Sequence, residues 1–245
     1  MSNTQLLKIA IVLLALSAYA YRWYSRRKKS NTENEADADQ ETPTFFFSLN
    51  DGNQTEVIVA PKYDPEWFKA LDEKYSWDRF DEYDNRFWEY MYQLFDTLPD
   101  LAETENRIDF FNNLNRPQKV FYSLLVFNGD TDNGGVAQFF FNRPEFVFAV
   151  LETFDELKLP QLKADYEKCL NEFLGTSESY LKRKQIFNDQ NLDWEKRWKA
   201  FVKGYDEIKS AAILEDYYYT TEFRKDYYKN FVDYADRHMD YFVKK

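Results

Sequence analysis

The chain has few of the side chains that metal sites and nucleophilic catalysis require. Its 245 residues include one histidine, His238, and one cysteine, Cys169. A structural zinc site takes four Cys or His ligands, and a nucleophilic triad needs a histidine beside the nucleophile. Cys169 falls in an apolar helical pattern, where a buried and inert thiol is the commonest role. We therefore expect no metal ion, and we expect that neither residue is catalytic.

Loops that bind phosphate or calcium are not indicated either. The six glycines form neither G-x-x-x-x-G-K-[ST] nor G-x-G-x-x-G. A calcium loop starting at Asn128 would place Asp130 and Asp132 at its third and fifth positions. Such a loop also needs glycine at the sixth position and a bidentate acid at the twelfth, where Asn133 and Phe139 stand. We expect no cofactor, and we predict that the chain is not an enzyme.

The first 29 residues are predicted to be a membrane anchor with a basic flank. The unbroken apolar run Ile9–Tyr21 has 13 residues, and Lys8, Trp23 and Tyr24 can extend it at the membrane interface to roughly 19 residues. By the positive-inside rule, the cations after this run keep the rest of the chain in the cytoplasm, which predicts a single-pass protein of the inner membrane. These cations are Arg22, Arg26, Arg27, Lys28 and Lys29. The competing interpretation is a cleaved signal peptide with an A-x-A site at residues 18–20.

The remaining residues divide into a linker and a helical domain. Residues 30–44 are polar apart from two alanines and one proline, which predicts a disordered linker. Residues 45–245 are predicted to form an acidic helical domain. Within it, two short β-type runs from Phe45 to Val59 predict a small hairpin, and apolar residues recur at helical spacing from Pro65 onwards. The predicted fold class is mostly α: a multi-helix globular domain with a small N-terminal β-hairpin, preceded by one transmembrane helix.

The stretch NGGVAQFFFN, from Asn133 to Asn142, is the most distinctive in the chain. Its two glycines allow backbone angles that are closed to other residues, and Asp132 or Asn133 can cap the next helix. Its three consecutive phenylalanines cannot all be exposed in a globular domain. The favoured interpretation is a turn that leads into a buried helix. The alternative is a loop that binds a ligand or a partner at the surface.

This stretch resembles the signature N-G-G-x-x-Q-F/Y-F-x-N of a family whose characterised type member is an acidic bacterial DNA-mimic protein. The similarity extends over about Asp78 to Asp206. The resemblance implies a helical domain whose surface acids imitate DNA phosphates and occupy the groove of a DNA-binding protein, without binding nucleic acid directly. The signature itself is predicted to be structural. Its positions in this chain are Asn133, Gly134, Gly135, Gln138, Phe139, Phe140 and Asn142.

The charge of the domain agrees with such a role. The first 29 residues hold six of the 32 basic residues and none of the 43 acidic ones, so residues 30–245 carry a net charge of −17. A cationic groove that binds DNA also attracts a rigid array of carboxylates, and helices hold carboxylates in rows. The candidate acidic surface consists of Asp155, Glu156, Asp165, Glu167, Asp206, Glu207, Glu215, Asp216, Glu222 and Asp226. An acidic surface is also an ordinary means of keeping a protein soluble.

The predicted function is that of a membrane-anchored, acidic, non-catalytic interaction protein that binds a basic protein partner as a DNA mimic. The alternative is a membrane-tethered scaffold or immunity-type protein that recognises a protein partner through exposed aromatic residues. A hydrolase that uses paired carboxylates is the third hypothesis, and it requires a pocket in which several acids converge.

Overall fold

A computed structural model describes residues 46–51, 65–94, 104–238 and 241. These residues all belong to one compact unit, Pro43–Lys245, and they form eleven α-helices and one 3-10 turn. The helices are α1 (Pro65–Lys74), α2 (Phe80–Leu94), α3 (Thr104–Asn112), α4 (Arg116–Gly134), α5 (Val136–Asn142), α6 (Val147–Glu156), α7 (Pro160–Gly175), α8 (Ser177–Asn188), α9 (Trp194–Val202), α10 (Ser210–Tyr218) and α11 (Thr221–Arg237), with the 3-10 turn Pro144–Phe146 between α5 and α6.

Helix α4 is the centre of the core. It begins with a capping box, in which the side chains of Asn115 and Gln118 each accept a hydrogen bond from the backbone amide of the other. Every residue from Pro117 to Asn128 is buried, which is the pattern of a helix surrounded by protein. Helices α5 and α6 pack directly against α4. The ring of Phe127 accordingly meets that of Phe154 on α6 at 5.2 Å.

The other helices pack in a succession around this core. Helix α6 packs on α7, α7 on α10, α10 on α11, and α11 on α2, while α8 and α9 pack on each other. Aromatic rings fill much of the space between them: Phe87 of α2 stacks on Tyr228 of α11 at 4.1 Å and meets Phe231 at 4.8 Å. The aromatic residues, 20 % of the chain, are therefore used largely inside the domain.

The predicted fold class is wrong in two of its parts, and the first is the hairpin. No β-strand occurs in the described ranges, and residues 46–51, the described part of the predicted hairpin, form a turn. The amide of Phe47 donates to the carbonyl oxygen of Glu145 at 2.7 Å, and the amide of Leu49 donates to the carboxylate of Glu152 at 2.7 Å. These amides bind helical segments and are not available for a strand partner. The remainder of the predicted hairpin lies outside the described residues.

The second error concerns the membrane. No helix in the part of the chain that the structure describes is long and apolar enough to cross a bilayer, so the predicted transmembrane helix and inner-membrane location are contradicted. The prediction depended on an unbroken apolar run of 13 residues, whereas a helix needs about 20 to span the hydrocarbon core. The predicted anchor, its five flanking cations and the predicted linker lie outside the described residues.

Candidate interaction site

The NGG stretch forms the connection between α4 and α5. Gly135 ends α4 with φ of 84°, and its amide donates to the carbonyl oxygen of Thr131 at 2.8 Å. The next amide, that of Val136, donates to the carboxylate of Glu215 on α10 at 2.7 Å. A Cβ atom on Gly135 would lie 2.7 Å from the same carboxylate. Gly135 therefore provides both the left-handed backbone and the space that lets Glu215 reach the start of α5.

The polar side chains of this stretch turn back towards α4. Asn142 donates to the carboxylate of Asp130 at 2.7 Å, and Gln138 donates to it weakly at 3.5 Å. Arg143 completes the group with an ion pair to Asp130 at 3.3 Å. Burial raises the pKa of Asp130, and the positive charge of Arg143 opposes that effect. The space beside Gly134 is filled by the Gln138 side chain, since a Cβ atom there would lie 2.0 Å from its amide oxygen.

The three phenylalanines of the stretch are all buried in the core. Phe139 packs edge-on against Phe127 of α4 at 5.1 Å, and Phe140 stacks on Tyr166 of α7 at 5.3 Å. Phe141 lies against Phe201 of α9 at 4.9 Å. Asn133 is exposed at the turn. These contacts favour the interpretation of a turn that leads into a buried helix over that of a ligand-binding loop.

A buried arginine beside the turn was missed by sequence reasoning. Arg224 of α11 donates two hydrogen bonds to Asp132 at 2.6 and 2.9 Å, and its guanidinium lies over the rings of Tyr218 and Tyr228. Burial raises the pKa of Asp132, and the hydrogen bonds from Arg224 oppose that effect. The signal was present, because Arg224 shares the apolar helical face of Tyr228 and Phe231, where a cation needs a buried partner.

Half of the ten candidate acids are engaged inside the domain. Four of them bind other helices of the domain. Glu156 pairs with Arg116 at 2.9 Å, and Glu207 binds Arg183 and Ser179. Asp165 accepts hydrogen bonds from Tyr217 at 3.2 Å and from Lys168 at 2.8 Å, and Glu215 caps α5. A fifth, Asp155, pairs with Lys163 at 2.6 Å. The first four carboxylates are therefore poorly placed to bind another protein, whereas the Asp155 side chain is 68 % exposed and its surface ion pair adds little stability.

The other five candidates are exposed and make no hydrogen bond or ion pair through their carboxylates with the described residues. They are Glu167 on α7, Asp206 before α10, Asp216 on α10, and Glu222 and Asp226 on α11. The structure adds Asp233 of α11, which was not predicted and is exposed and unpaired in the same way. The positions Glu222, Asp226 and Asp233 are separated along the helix axis by about 6 and 10.5 Å. Lys229 is exposed between Asp226 and Asp233, so this row on α11 contains three carboxylates and one cation and is acidic on balance.

The chemistry of an enzyme has little support in the described residues. No three His, Cys, Asp or Glu side chains there are grouped so that they could hold a metal ion. Burial raises the pKa of the Cys169 thiol to about 12, which keeps it protonated and unreactive. A pocket of about 420 Å³ contains Asp155 and Glu167 but also Lys158 and Lys163. Since Asp155 pairs with Lys163, this pocket offers no free pair of carboxylates for hydrolysis.

Helix α9 carries two neighbouring exposed aromatic residues. The side chains of Trp194 and Trp198 are 59 % and 45 % exposed, and their rings stack on each other at 5.6 Å. Exposed tryptophans placed side by side form one contiguous apolar patch, and such patches often mark sites of protein–protein contact. They form the aromatic surface that the alternative function requires.

A protein-family model described as DMP19-like protein matches residues 112–238, just over half of the chain. The chain belongs to the DMP19-like protein family. This confirms the predicted DNA-mimic family. The DMP19-like region runs from the last residue of α3 to the residue that follows α11. The predicted similarity covered Asp78 to Asp206, so the region begins later and ends later than predicted. That the NGG stretch is the signature of this family stays a prediction. No curated protein and no solved structure matches the chain.

Proposed function

We propose that this DMP19-like protein acts as a DNA mimic, in which carboxylates on α10 and α11 bind the cationic DNA-contacting surface of a protein partner. Family membership supports the mimicry. We choose this surface because these two adjacent helices hold a group of exposed, unpaired acids: Asp216, Glu222, Asp226 and Asp233. We call this group the acidic face.

The acidic face lies on rigid elements, which is what a mimic of DNA requires. Helix α11 is joined to α4 by the buried pair of Arg224 with Asp132 and to α2 by the stack of Phe87 on Tyr228. Helix α10 is joined to α5 through Glu215. Because the helices that carry these carboxylates are ordered before binding, a partner does not have to order their backbone. The proposed role makes and breaks no covalent bond, and it requires no catalytic residue or cofactor.

The test compares two variants that lose the same charge. The face variant carries Asp216→Asn, Glu222→Gln, Asp226→Asn and Asp233→Asn. The control variant carries Glu73→Gln, Asp109→Asn, Glu167→Gln and Asp206→Asn, which are also exposed and have no described partner. The probe is the set of DNA-binding proteins that the source cell yields on a duplex-DNA column, passed over the immobilised full-length chain.

We expect the wild type and the control variant to retain proteins from this set that duplex DNA and high salt release. The face variant should bind them at least about tenfold more weakly, since four exposed charge pairs are lost at a few tenths of a kcal/mol or more each. Retention that is insensitive to salt and to duplex DNA would refute mimicry. An equal loss in both variants would show that only net charge matters and would remove the acidic face.

A second candidate function is binding of a protein partner through the exposed Trp194 and Trp198. The same column distinguishes it. Here the double change Trp194→Gln and Trp198→Gln should abolish retention while the face variant retains its partners. Retention that is unchanged by the tryptophan substitutions would exclude this candidate.

A further inference from the structure

Helix α9 has a second apolar stripe that faces solvent. Phe201 and Ala200 are on its buried side, whereas Trp194, Trp198 and Val202 recur every four residues on the outside and are 59 %, 45 % and 42 % exposed. Surface helices normally present polar residues on the side opposite the core. The two tryptophans alone expose on the order of 250 Å² of largely apolar surface, given the size of aromatic side chains. We call this stripe the tryptophan patch.

The tryptophan patch has a cationic border in an otherwise acidic molecule. Residues 193–203, which comprise α9, its capping residue Asp193 and Lys203, contain four basic residues and two acidic ones, although residues 45–245 as a whole carry a net charge of −12. Lys203 is exposed beside Val202, whereas Lys196 pairs with Asp193 at 3.1 Å and Lys199 pairs with Glu195 at 2.7 Å. The border therefore keeps a small net positive charge, with Lys203 as its exposed cation without an ion pair. A partner that covers this patch must bring apolar side chains for the tryptophans and negative charge for the border.

The acidic face of the same chain has these properties. Ile213 on α10 is 54 % exposed, and Tyr219 at the end of α10 is 44 % exposed. Ile213 precedes Asp216 by three residues, so the two share one side of the helix. Glu222 and Asp226 continue the negative charge along α11. One chain thus presents both a cationic aromatic patch and an acidic surface with exposed apolar side chains.

We propose that a second copy of this chain docks its acidic face on the tryptophan patch. The contact joins two different surfaces, because two tryptophan patches placed against each other would oppose their like-charged borders. Since each copy keeps one face and one patch unoccupied, the contact adds further copies until a ring closes. It also covers Asp216 and Glu222, so self-association competes with the partner of a DNA mimic. That last consequence alone rests on the proposed function.

The experiment uses two variants of the full-length chain and sedimentation velocity, with no DNA-binding protein present. The patch variant carries Trp194→Gln and Trp198→Gln, and the face-blocked variant carries Ile213→Arg, which leaves every carboxylate in place. The wild type should form species that grow with concentration, and each variant alone should associate at least about tenfold more weakly, as expected on the loss of an interface hot spot. A 1:1 mixture of the patch variant and the face-blocked variant should form a dimer and nothing larger. The reason is that the patch variant supplies the one intact acidic face and the face-blocked variant supplies the one intact tryptophan patch.

The control variant Leu174→Gln changes an exposed apolar residue on α7, and it should associate as the wild type does. Circular dichroism and urea unfolding establish that each variant is folded. Association of both variants at the wild-type level would refute the proposal, as would a mixture that stays monomeric. Failure of this experiment leaves DNA mimicry untouched, since the amide substitutions that test mimicry keep both tryptophans and Ile213.

Discussion

Gly135 is the residue at which the backbone of the α4–α5 turn meets a side chain from far along the chain. Its φ of 84° suits glycine, and the Glu215 carboxylate occupies the space in which any Cβ atom would stand. The sequence alone predicts that a glycine here permits unusual backbone angles. The contact with Glu215 is not visible in the sequence, because 80 residues separate the two positions.

Gly135→Ala should therefore lower the free energy of unfolding by about 1–3 kcal/mol, through backbone strain and displacement of Glu215. The matched control is Gly129→Ala, inside α4, where an added Cβ meets nothing within 4 Å. That change should raise the free energy of unfolding by about 0.5–1 kcal/mol, because alanine favours the helix. Urea unfolding of both variants measures the difference. Equal effects of the two substitutions would contradict this account of Gly135.

Asp130 predicts a pH dependence that is opposite in sign to that of most acids. Because burial raises its folded pKa above 3.8, the folded state binds the proton more tightly than the unfolded state does. The unfolding free energy of the wild type should then rise relative to that of Asp130→Asn as the pH falls through the raised value towards 3.8. Urea unfolding of both proteins across this pH range is the measurement.

Asp193 should give a pH dependence of stability that is opposite in sign to that of Asp130. It caps α9 by accepting from the backbone amide of Lys196 at 2.9 Å, and this hydrogen bond lowers its pKa below 3.8. The contribution of Asp193 to the free energy of unfolding is present at pH values above its ordinary pKa, and it is lost as the pH falls through its lowered pKa in the folded state. Relative to Asp193→Asn, the wild type should thus lose stability on acidification. Parallel behaviour of the two aspartates would show that their surroundings do not differ as described.

Helices in this domain are joined to one another by capping carboxylates as well as by aromatic packing. Glu215 of α10 accepts from the first amide of α5, and Glu172 of α7 accepts from the amide of Ser210 at the start of α10 at 2.9 Å. A carboxylate at a helix N-terminus satisfies an amide that has no partner within the helix and complements the helix dipole. These contacts fix the positions of α5 and α10, and hence of the acidic face.

Glu215→Ala should lower the free energy of unfolding by about 1–3 kcal/mol, since it leaves the Val136 amide without its acceptor. Glu215→Gln keeps an acceptor oxygen and should cost less. The control is Asp216→Ala, one position along the same helix, where the side chain is exposed and should change stability by no more than about 0.5 kcal/mol. If Asp216→Ala costs as much as Glu215→Ala, the loss arises in α10 itself and not in the contact with α5.

At the scale of the whole molecule, charge is distributed unevenly. Residues 45–245, which exclude the predicted linker, hold 26 basic and 38 acidic residues and carry a net charge of −12, yet the α9 segment is cationic. Uneven charge of this kind opposes the compact state through repulsion between the acidic surfaces. It also provides the two complementary surfaces on which the proposed self-association depends.

Raising NaCl from about 0.05 M to about 0.5 M should therefore increase the free energy of unfolding at neutral pH, because screening relieves this repulsion. A variant that combines the eight amide substitutions of the face and control variants should show a smaller increase. Thermal or urea unfolding at low protein concentration gives the comparison. A decrease with salt in the wild type would mean that attractive ion pairs, such as Arg224 with Asp132, outweigh the repulsion.

Helix boundaries were predictable where local chemistry decides them. The sequence Asp64-Pro65-Glu66 is typical of a helix start, and α1 begins at Pro65. Glycine is typical of a helix end, and α7 ends at Gly175. These signals act within one turn of helix and need no tertiary contact. Helix α10 is harder to predict from local pattern, because its apolar face is short and the tyrosines from 217 to 219 obscure its spacing.

The candidate site depended on contacts that sequence spacing cannot reveal. Composition and local pattern alone determined that the domain is helical, acidic and rich in aromatic residues. Only the tertiary structure decided which acids remain exposed. Glu156 lies 40 residues from Arg116 and Glu207 lies 24 residues from Arg183, yet each pair meets in the fold. A carboxylate that lies close to a cation of the same domain stabilises the fold, whereas one with no cation nearby stays available to a partner. Distances in the folded structure decide between these two outcomes, because the residues that meet are far apart in the sequence.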